Sequence, residues 1–291
     1  MARGGAPPPS VAVAAAPRGV SLAGPRLDHT WQERLPRLVD ECAEQWDLEL
    51  EEPFAGGFAS QVVPAGDAVL KIQWPHRESE QEADALEHWQ GDGAVRLLAR
   101  DDERHALLLE RCRPGIPLRK AALDVLIGLM PRLWKPAGAP FRLLADEAAW
   151  WASTIRADWE RAGRPFEETL VDTAISTLEE LARTQGEQVL LHQDLHPDNV
   201  LAAEREPWLV IDPKPVVGER EFAVAPIVRS YELGHNERAV VGRLDRLTAE
   251  LGLDRERARG WALGQTIAWS IDSEFHPSHV ETARWLLEAR R

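Results

Sequence analysis

The loop HQDLHPDN, residues 192–199, holds two histidines, two aspartates and an asparagine. An apolar hairpin follows, made of NVLAA and WLVI with a turn near residues 204–206, and Asp212 comes directly after it. A solvated turn rich in Asx residues is one explanation of the loop. Asp212, which follows the hairpin, favours the other explanation: a site that binds a metal and takes a proton from a hydroxyl.

Asp194 and Asn199 have the D-x-x-x-x-N spacing of phosphoryl-transfer catalytic loops. In such loops the aspartate orients the attacking hydroxyl, and the asparagine turns back to hold Mg²⁺. Asp212 supplies a second oxygen ligand, which suits a hard cation. His192 is predicted to brace the backbone around Asp194 and not to act as the base. His196 is interpreted as a packed or hydrogen-bonded loop histidine.

The part before residue 113 is predicted to be a small sheet with helices. TWQE has the form of a capping box, so a helix should begin at Thr30. LELEEPF, AGGFAS and QVVPAGDAVLKIQWP follow in that order and are expected to form two strands around a glycine turn and a third strand that carries Lys71. RESEQEADALEHW has helical spacing, and a hairpin over residues 95–112 should turn at residues 100–103.

Two segments of this part could bind a nucleotide through main-chain groups. AGGFAS could cover phosphates, because Gly56 and Gly57 allow close approach and Ser60 can donate a hydrogen bond. A plain hairpin turn is the alternative. The main chains of Glu110 and Cys112 end an apolar strand, where an adenine ring could bind. An ordinary interdomain linker is the alternative there.

Lys71 lies within the apolar strand VLKI. A lysine among buried neighbours needs a partner, and it could meet phosphates and a glutamate of the next helix. Glu82 is the predicted partner and Glu78 the competitor, while a solvent-facing strand residue remains the alternative.

The rest of the chain is predicted to be mainly helical, with segments near residues 117–134, 144–162, 167–186 and 219–290. The stripe Trp150, Trp151, Ile155 and Trp159 favours a helix that packs against the core. The formal net charge of -14 argues against a nucleic-acid partner and is compatible with a cationic small molecule.

The chain has no apolar run long enough to span a membrane. Two cysteines give no disulfide framework and fit a reducing cytoplasm. Residues 1–29, rich in Ala, Pro and Gly, are interpreted as a disordered leader. The oligomeric state has no sequence signature here.

The order of these motifs resembles the aminoglycoside phosphotransferase family, which has a protein-kinase-like fold. HQDLHPDN and VIDPKPVVGEREF are most similar to its streptomycin 6-kinase and hydroxyurea kinase branch. The resemblance implies an α+β fold with two lobes, residues 30–112 and 113–291, and ATP between them. It implies Asp194 as the catalytic base, Asn199 and Asp212 as Mg²⁺ ligands, and ATP contacts from Lys71, Glu82 and the linker backbone at 110–112.

The chain also departs from related patterns. HQD and DPK stand where protein kinases have HRD and DFG, and their regulatory loop is not recognisable, which argues against a protein substrate. Ala223 occupies the approximate position of an aspartate common in the family, which puts the support of the loop in doubt.

The resemblance implies a small hydroxyl acceptor, most simply an aminoglycoside such as streptomycin. Asp272 and Glu274, beside Trp269 and Phe275, are candidate acceptor ligands, although they could equally be surface acids of a helix. Hydroxyurea and an unknown metabolite remain alternative acceptors. A nucleotide-binding module without transfer is the alternative outside the enzyme class.

Overall fold

The computed structural model describes residues 29–54, 60–271 and 277–289. The leader, apart from residue 29, lies outside the described residues, as do four predicted site residues: Gly56, Gly57, Asp272 and Glu274. None of the described helices is both long enough and apolar enough to cross a membrane.

A four-stranded antiparallel sheet forms the first part of the fold. Its strands are β1 (Ser60–Ala65), β2 (Ala68–Gln73), β3 (Leu97–Asp101) and β4 (Ala106–Glu110), in the order β1-β2-β4-β3. Helix α1, His29–Gln45, contributes to a small core that includes Leu70 and Ile72 of β2, which are fully buried. Because side chains alternate along a strand, Lys71 faces the opposite side of the sheet.

Helix α2, Glu82–Trp89, contributes to a second core with β4. Ala83, Leu86 and Trp89 are buried, as predicted, and Ala85 is buried as well. The predicted start of this helix, at RESE, is wrong. The Ser79 hydroxyl donates to the main-chain carbonyls of Trp74 and His76, at 3.1 and 3.0 Å, which favours turns before residue 82.

Two details of the predicted sheet are also wrong. LELEEPF is not a strand, although the N–H groups of Glu51 and Phe54 donate to Pro64 and Val62 of β1 at 2.8 and 3.0 Å. Pro53 lies between them and has no N–H, so a regular ladder cannot continue. The turn of the second hairpin lies at residues 102–105 and not at 100–103.

The remainder is mostly helical. Its described helices are α3 (Ala122–Leu133), α4 (Leu144–Arg161), α5 (Glu168–Arg183), α6 (Ala225–Arg229), α7 (Glu237–Leu251), α8 (Arg255–Ala268) and α9 (Pro277–Glu288). Trp151, Ile155 and Trp159 of α4 are buried in the core, as predicted, while Trp150 is only partly buried. The fold is thus the predicted mixture of a small antiparallel sheet and a larger helical part.

Two pairs of short strands position the polar loops. Strand β5 (Val189–Leu191) pairs with β8 (Val216–Gly218), and β6 (Val200–Ala202) pairs with β7 (Trp208–Val210). Residues 192–199 and 211–215 therefore run side by side between the two pairs. Gly218 allows α4 to approach, since a Cβ there would overlap the side chain of Leu144.

Candidate active site

The loop after β5 folds back on itself. Pro197–Asn199 form a single 3-10 turn, and the Asn199 side-chain amide donates to the main-chain carbonyl of Asp194 at 2.9 Å. Because Nδ2 is engaged in this bond, Oδ1 is the atom of Asn199 that could bind a cation. Asp194 and Asn199 thus lie together, as their spacing predicts.

His192 joins this loop to the segment that carries Asp212. Its ring is 3% exposed and stacks on Trp89 with centroids 6.3 Å apart. Nε2 lies 2.9 Å from the carbonyl of Ile211, and the N–H of Asp194 donates to Nδ1 at 3.3 Å. Burial lowers the pKa of His192 to about 4, so the ring is neutral near pH 7 and Nε2 carries its proton. This geometry supports a bracing role.

Lys71 lies at the centre of a buried cluster. Its Nζ is 2.9 and 2.7 Å from the two carboxylate oxygens of Glu82 and 2.5 Å from Oδ1 of Asp212. The Lys71 residue is only 6% exposed, so the solvent-facing alternative is wrong. Glu78, the other predicted partner, lies 3.9 Å from Lys214 instead.

Lys71 and its two carboxylate partners shift one another's pKa values. Burial opposes the charge of Lys71, but Asp212 and Glu82 outweigh it and raise the pKa of the ammonium. Burial raises the pKa of Glu82 to about 7, and Lys71 only partly opposes it. The pKa of Asp212 falls to about 2, because Lys71 and Lys214 outweigh its burial. Glu82 and Asp212 thus both contact the Lys71 ammonium, and Asp212 is also stabilised as a carboxylate by Lys214.

The residues present fit a magnesium ion. The Asp212 side chain is 46% exposed although Lys71 binds one of its oxygens. The main-chain N–H of Ile211 donates to the carbonyl of Asn199 at 3.0 Å, so the two proposed ligands are held on adjoining segments. A carboxylate and an amide oxygen are the donors that a hard divalent cation prefers.

Asp194 has two cationic neighbours that the sequence reasoning missed. Lys214 Nζ lies 2.8 Å from Oδ2, and Arg229 Nη2 lies 3.5 Å from Oδ1. Burial opposes ionisation of Asp194, but Lys214, His196 and Arg229 hold its pKa well below the usual range. Lys214 was visible in the phrase VIDPKP. Arg229 had only the weak signal of a cation in an apolar run.

Further bonds support the catalytic loop without an aspartate at position 223. Gln265 is fully buried, donates to the carbonyl of Gln193 at 3.2 Å, and accepts a hydrogen bond from Arg229. The N–H of Lys214 donates to the carbonyl of His192 at 3.0 Å. Ala223 itself is buried in the core.

The predicted nucleotide contacts are placed as follows. Ser60 is the first residue of β1 and pairs with Gln73. The N–H of Glu110 already donates to Arg96 at 2.9 Å, and its carboxylate binds Arg205. Cys112 is partly buried, and its N–H has no hydrogen-bond partner within the described residues, so this group could meet adenine.

Known proteins provide comparisons with this arrangement. A sequence model described as aminoglycoside/hydroxyurea antibiotic resistance kinase matches residues 45–273. Streptomycin 6-kinase of Streptomyces griseus is 36% identical over 288 residues, which cover 91% of this chain and 94% of that protein. Hydroxyurea phosphotransferase of Kitasatospora aureofaciens is 38% identical over 259 residues, covering 82% of this chain and 74% of that protein.

Solved structures show the same fold. Choline kinase LicA from Streptococcus pneumoniae has a TM-score of 0.64 at 13% identity, covering 88% of this chain and 98% of that one. Aminoglycoside phosphotransferase APH(4)-Ia has a TM-score of 0.59 at 15% identity, with coverages of 87% and 96%. With the match over residues 45–273, these comparisons show that the chain belongs to the aminoglycoside/hydroxyurea antibiotic resistance kinase family.

Proposed function

We propose that this chain transfers the γ-phosphoryl group of ATP to a hydroxyl of a small molecule, and that the acceptor is a streptomycin-type aminoglycoside. The observation that carries the proposal is the convergence of two clusters. Lys71, Glu82 and Asp212 form one, and Asp194 with Asn199 forms the other, with Lys214 next to both aspartates.

Different residues bind the nucleotide and the acceptor in this proposal. Lys71, held by Glu82, fixes the phosphates, and Asp194 orients the acceptor hydroxyl. Asn199 and Asp212 would hold Mg²⁺, which would neutralise charge on the phosphates. We propose further nucleotide contacts from five groups: Gly56, Gly57, Ser60 and the main chains of Glu110 and Cys112.

The streptomycin assignment rests on the relatives. Three of the four matched curated proteins are named streptomycin kinases, two of them 6-kinases. Carboxylates that could attract a cationic acceptor lie near the loop: Asp198 and Glu232 lie close to His196, with candidate ligand atoms within 4.8 Å of one another. Asp272 and Glu274 remain proposed acceptor ligands. Phosphorylation would inactivate the drug by adding negative charge.

Hydroxyurea is the second candidate acceptor, because a named hydroxyurea phosphotransferase is equally similar. A nucleotide-binding module without transfer is disfavoured, since the chain has Asp194 for the proposed base, Asn199 and Asp212 for the proposed metal ligands, and the Lys71–Glu82 pair. We also propose a boundary between the lobes at residues 112–113 and a cytoplasmic location, where ATP is present and free thiols stay reduced.

The test is ADP release by the purified chain with Mg-ATP. Parallel reactions contain streptomycin, hydroxyurea, another aminoglycoside or no acceptor. We expect streptomycin-dependent turnover that falls by roughly 10²–10⁴-fold in Asp194→Asn. Asp172→Asn, an exposed acid of α5 paired with Arg156, is the matched control and should retain full activity.

The acceptors separate the outcomes of this test. Turnover with hydroxyurea alone would replace the acceptor and keep the mechanism. If no acceptor stimulates turnover although ATP binds, the streptomycin assignment fails and a different metabolite or a binding module is indicated.

A further inference from the structure

The base Asp194 is flanked by two cations that share one aromatic surface. Lys214 Nζ lies 5.2 Å, and Arg229 Cζ 4.5 Å, from the centroid of the Trp269 ring. Arg229 is 8% exposed, and the Lys214 side chain is 20% exposed. Neither position is that of a solvated surface charge.

These two cations have fewer carboxylates in close contact than Lys71, which contacts both Glu82 and Asp212. Among the described residues, Asp194 is the one carboxylate within 3.5 Å of either cation, Glu78 comes to 3.9 Å from Lys214, and Asp212 acts on Lys214 from farther away. Glu232 acts on Arg229 from farther away, and burial lowers the pKa of Arg229 to about 10. Two largely buried cations thus share one close carboxylate, and because an incompletely compensated buried cation is costly, this arrangement favours a further anion beside Asp194.

The location of Lys214 indicates which anion that is. Lys214 lies two positions after Asp212, which Lys71 contacts, and its Nζ contacts Asp194. A phosphoryl group must move from the nucleotide, held at Lys71 and Asp212, to a hydroxyl held at Asp194. The Lys214 ammonium therefore lies beside the path of transfer.

On this basis, and resting on the proposed function, we propose that Lys214 is a catalytic residue that donates a hydrogen bond to a non-bridging oxygen of the phosphoryl group in transit. The acceptor oxygen forms the new bond to the γ-phosphorus, and the bond to the β–γ bridging oxygen breaks, with its electron pair leaving on ADP. The hydroxyl proton passes to Asp194 and then to solvent. Lys214 stays protonated throughout.

Arg229 is a positioning residue in this scheme. It keeps the second oxygen of Asp194 in place while Lys214 turns from Asp194 to the phosphoryl group. Its guanidinium is fixed by Gln265, which also holds the carbonyl of Gln193. Lys214 can therefore leave Asp194 and contact the phosphoryl oxygens while Arg229 keeps the Asp194 carboxylate oriented.

The decisive experiment needs no acceptor. Tetrafluoroaluminate with MgADP mimics a phosphoryl group in transit, so the affinity for ADP is measured with and without it. We expect the wild type to bind ADP more tightly when fluoroaluminate is present. In Lys214→Met this gain in ADP affinity should be at least tenfold smaller, while the affinity for MgADP alone should be unchanged. Lys120→Met, at an exposed lysine, is the matched control and should behave as wild type.

Turnover provides the second readout. Lys214→Met should lower kcat by roughly 10²–10³-fold with little change in the KM for ATP, as for loss of one transition-state donor. Lys214→Arg should recover part of kcat. The acid limb of the kcat profile should move to higher pH in Lys214→Met, because Asp194 loses its nearest cation.

Equal fluoroaluminate tightening in Lys214→Met and wild type would overturn the assignment, and so would absence of tightening in the wild type. A loss of MgADP affinity in Lys214→Met would also overturn it and indicate a structural role. Failure of the wild type to bind MgADP at all would instead overturn the proposed nucleotide site itself.

Discussion

Replacing Glu82 by glutamine should separate the charge of this residue from its shape. Oε2 accepts from both Lys71, at 2.7 Å, and Gln73, while Oε1 accepts from Lys71 at 2.9 Å. Glutamine turns one of these oxygens into an NH₂ group. Whichever way the amide is oriented, a donor then faces the Lys71 ammonium or the Gln73 amide, so at least one hydrogen bond is lost.

The size of the effect follows from this geometry. A hydrogen bond to a charged group contributes about 1.5–3 kcal/mol, and Glu82 is 1% exposed, so solvent cannot replace it. Lys71 still contacts Asp212 in this variant. The loss of stability should therefore stay below the roughly 3–5 kcal/mol of a fully broken buried ion pair. For a chain of this size, the melting temperature should fall by about 3–10 °C.

The assay combines thermal unfolding with the KM for ATP. Glu82→Gln should raise the KM, since each ~1.4 kcal/mol of lost phosphate contact is a factor of ten in kcat/KM. Glu78→Gln is the matched control, because Glu78 is near the cluster but 3.9 Å from its nearest cation, Lys214. Equal losses in the two variants, or an unchanged melting temperature in Glu82→Gln, would refute the assignment of Glu82 as the Lys71 partner.

Three further predictions concern the two loops. Gln193→Met should leave the melting temperature unchanged or raise it, because both polar atoms of this 1% exposed side chain lack a hydrogen-bond partner within the described residues; a clear fall in differential scanning fluorimetry would contradict this. Chelation by EDTA should abolish turnover, and Asp212→Asn should raise the Mg²⁺ concentration for half-maximal rate by roughly tenfold or more, with an unchanged Mg²⁺ titration as the opposing result. The lowered pKa values of Asp194 and Asp212 stabilise the fold above their unfolded pKa of about 3.9, and this stability is lost as the pH falls. The free energy of unfolding in urea should therefore drop less between about pH 5 and pH 3 in Asp194→Asn than in wild type, whereas equal drops would indicate no such contribution.

The sequence was most informative where one local rule determines the structure. The D-x-x-x-x-N spacing places Asp194 beside Asn199, and the alternation of β2 turns Lys71 away from the α1 core. Errors arose where a single residue overrode the pattern. Ser79 favours turns where helical spacing predicted helix, and Pro53 interrupts a ladder that composition favoured.

The cations around Asp194 could not be found in the same way. Arg229 comes from α6, beyond the β8 strand, and its contact with Asp194 depends on how α6 packs against the loop. A lysine two positions after a proposed metal ligand is ordinary in sequence, and only the run of residues 211–215 beside residues 192–199 shows where its ammonium lies. The roles proposed for Lys214 and Arg229 therefore follow from their tertiary placement and not from their residue type.

The loop of residues 192–199 is supported without an aspartate at position 223. Three bonds end on main-chain carbonyls: Gln265 to Gln193, Asn199 to Asp194, and the N–H of Lys214 to His192. Bonds to the main chain fix the path of the loop whatever side chains it carries, so a further carboxylate would add charge more than order. One of these bonds is donated by the main chain of Lys214. The residue proposed to contact the phosphoryl group is therefore fixed relative to the loop that carries Asp194.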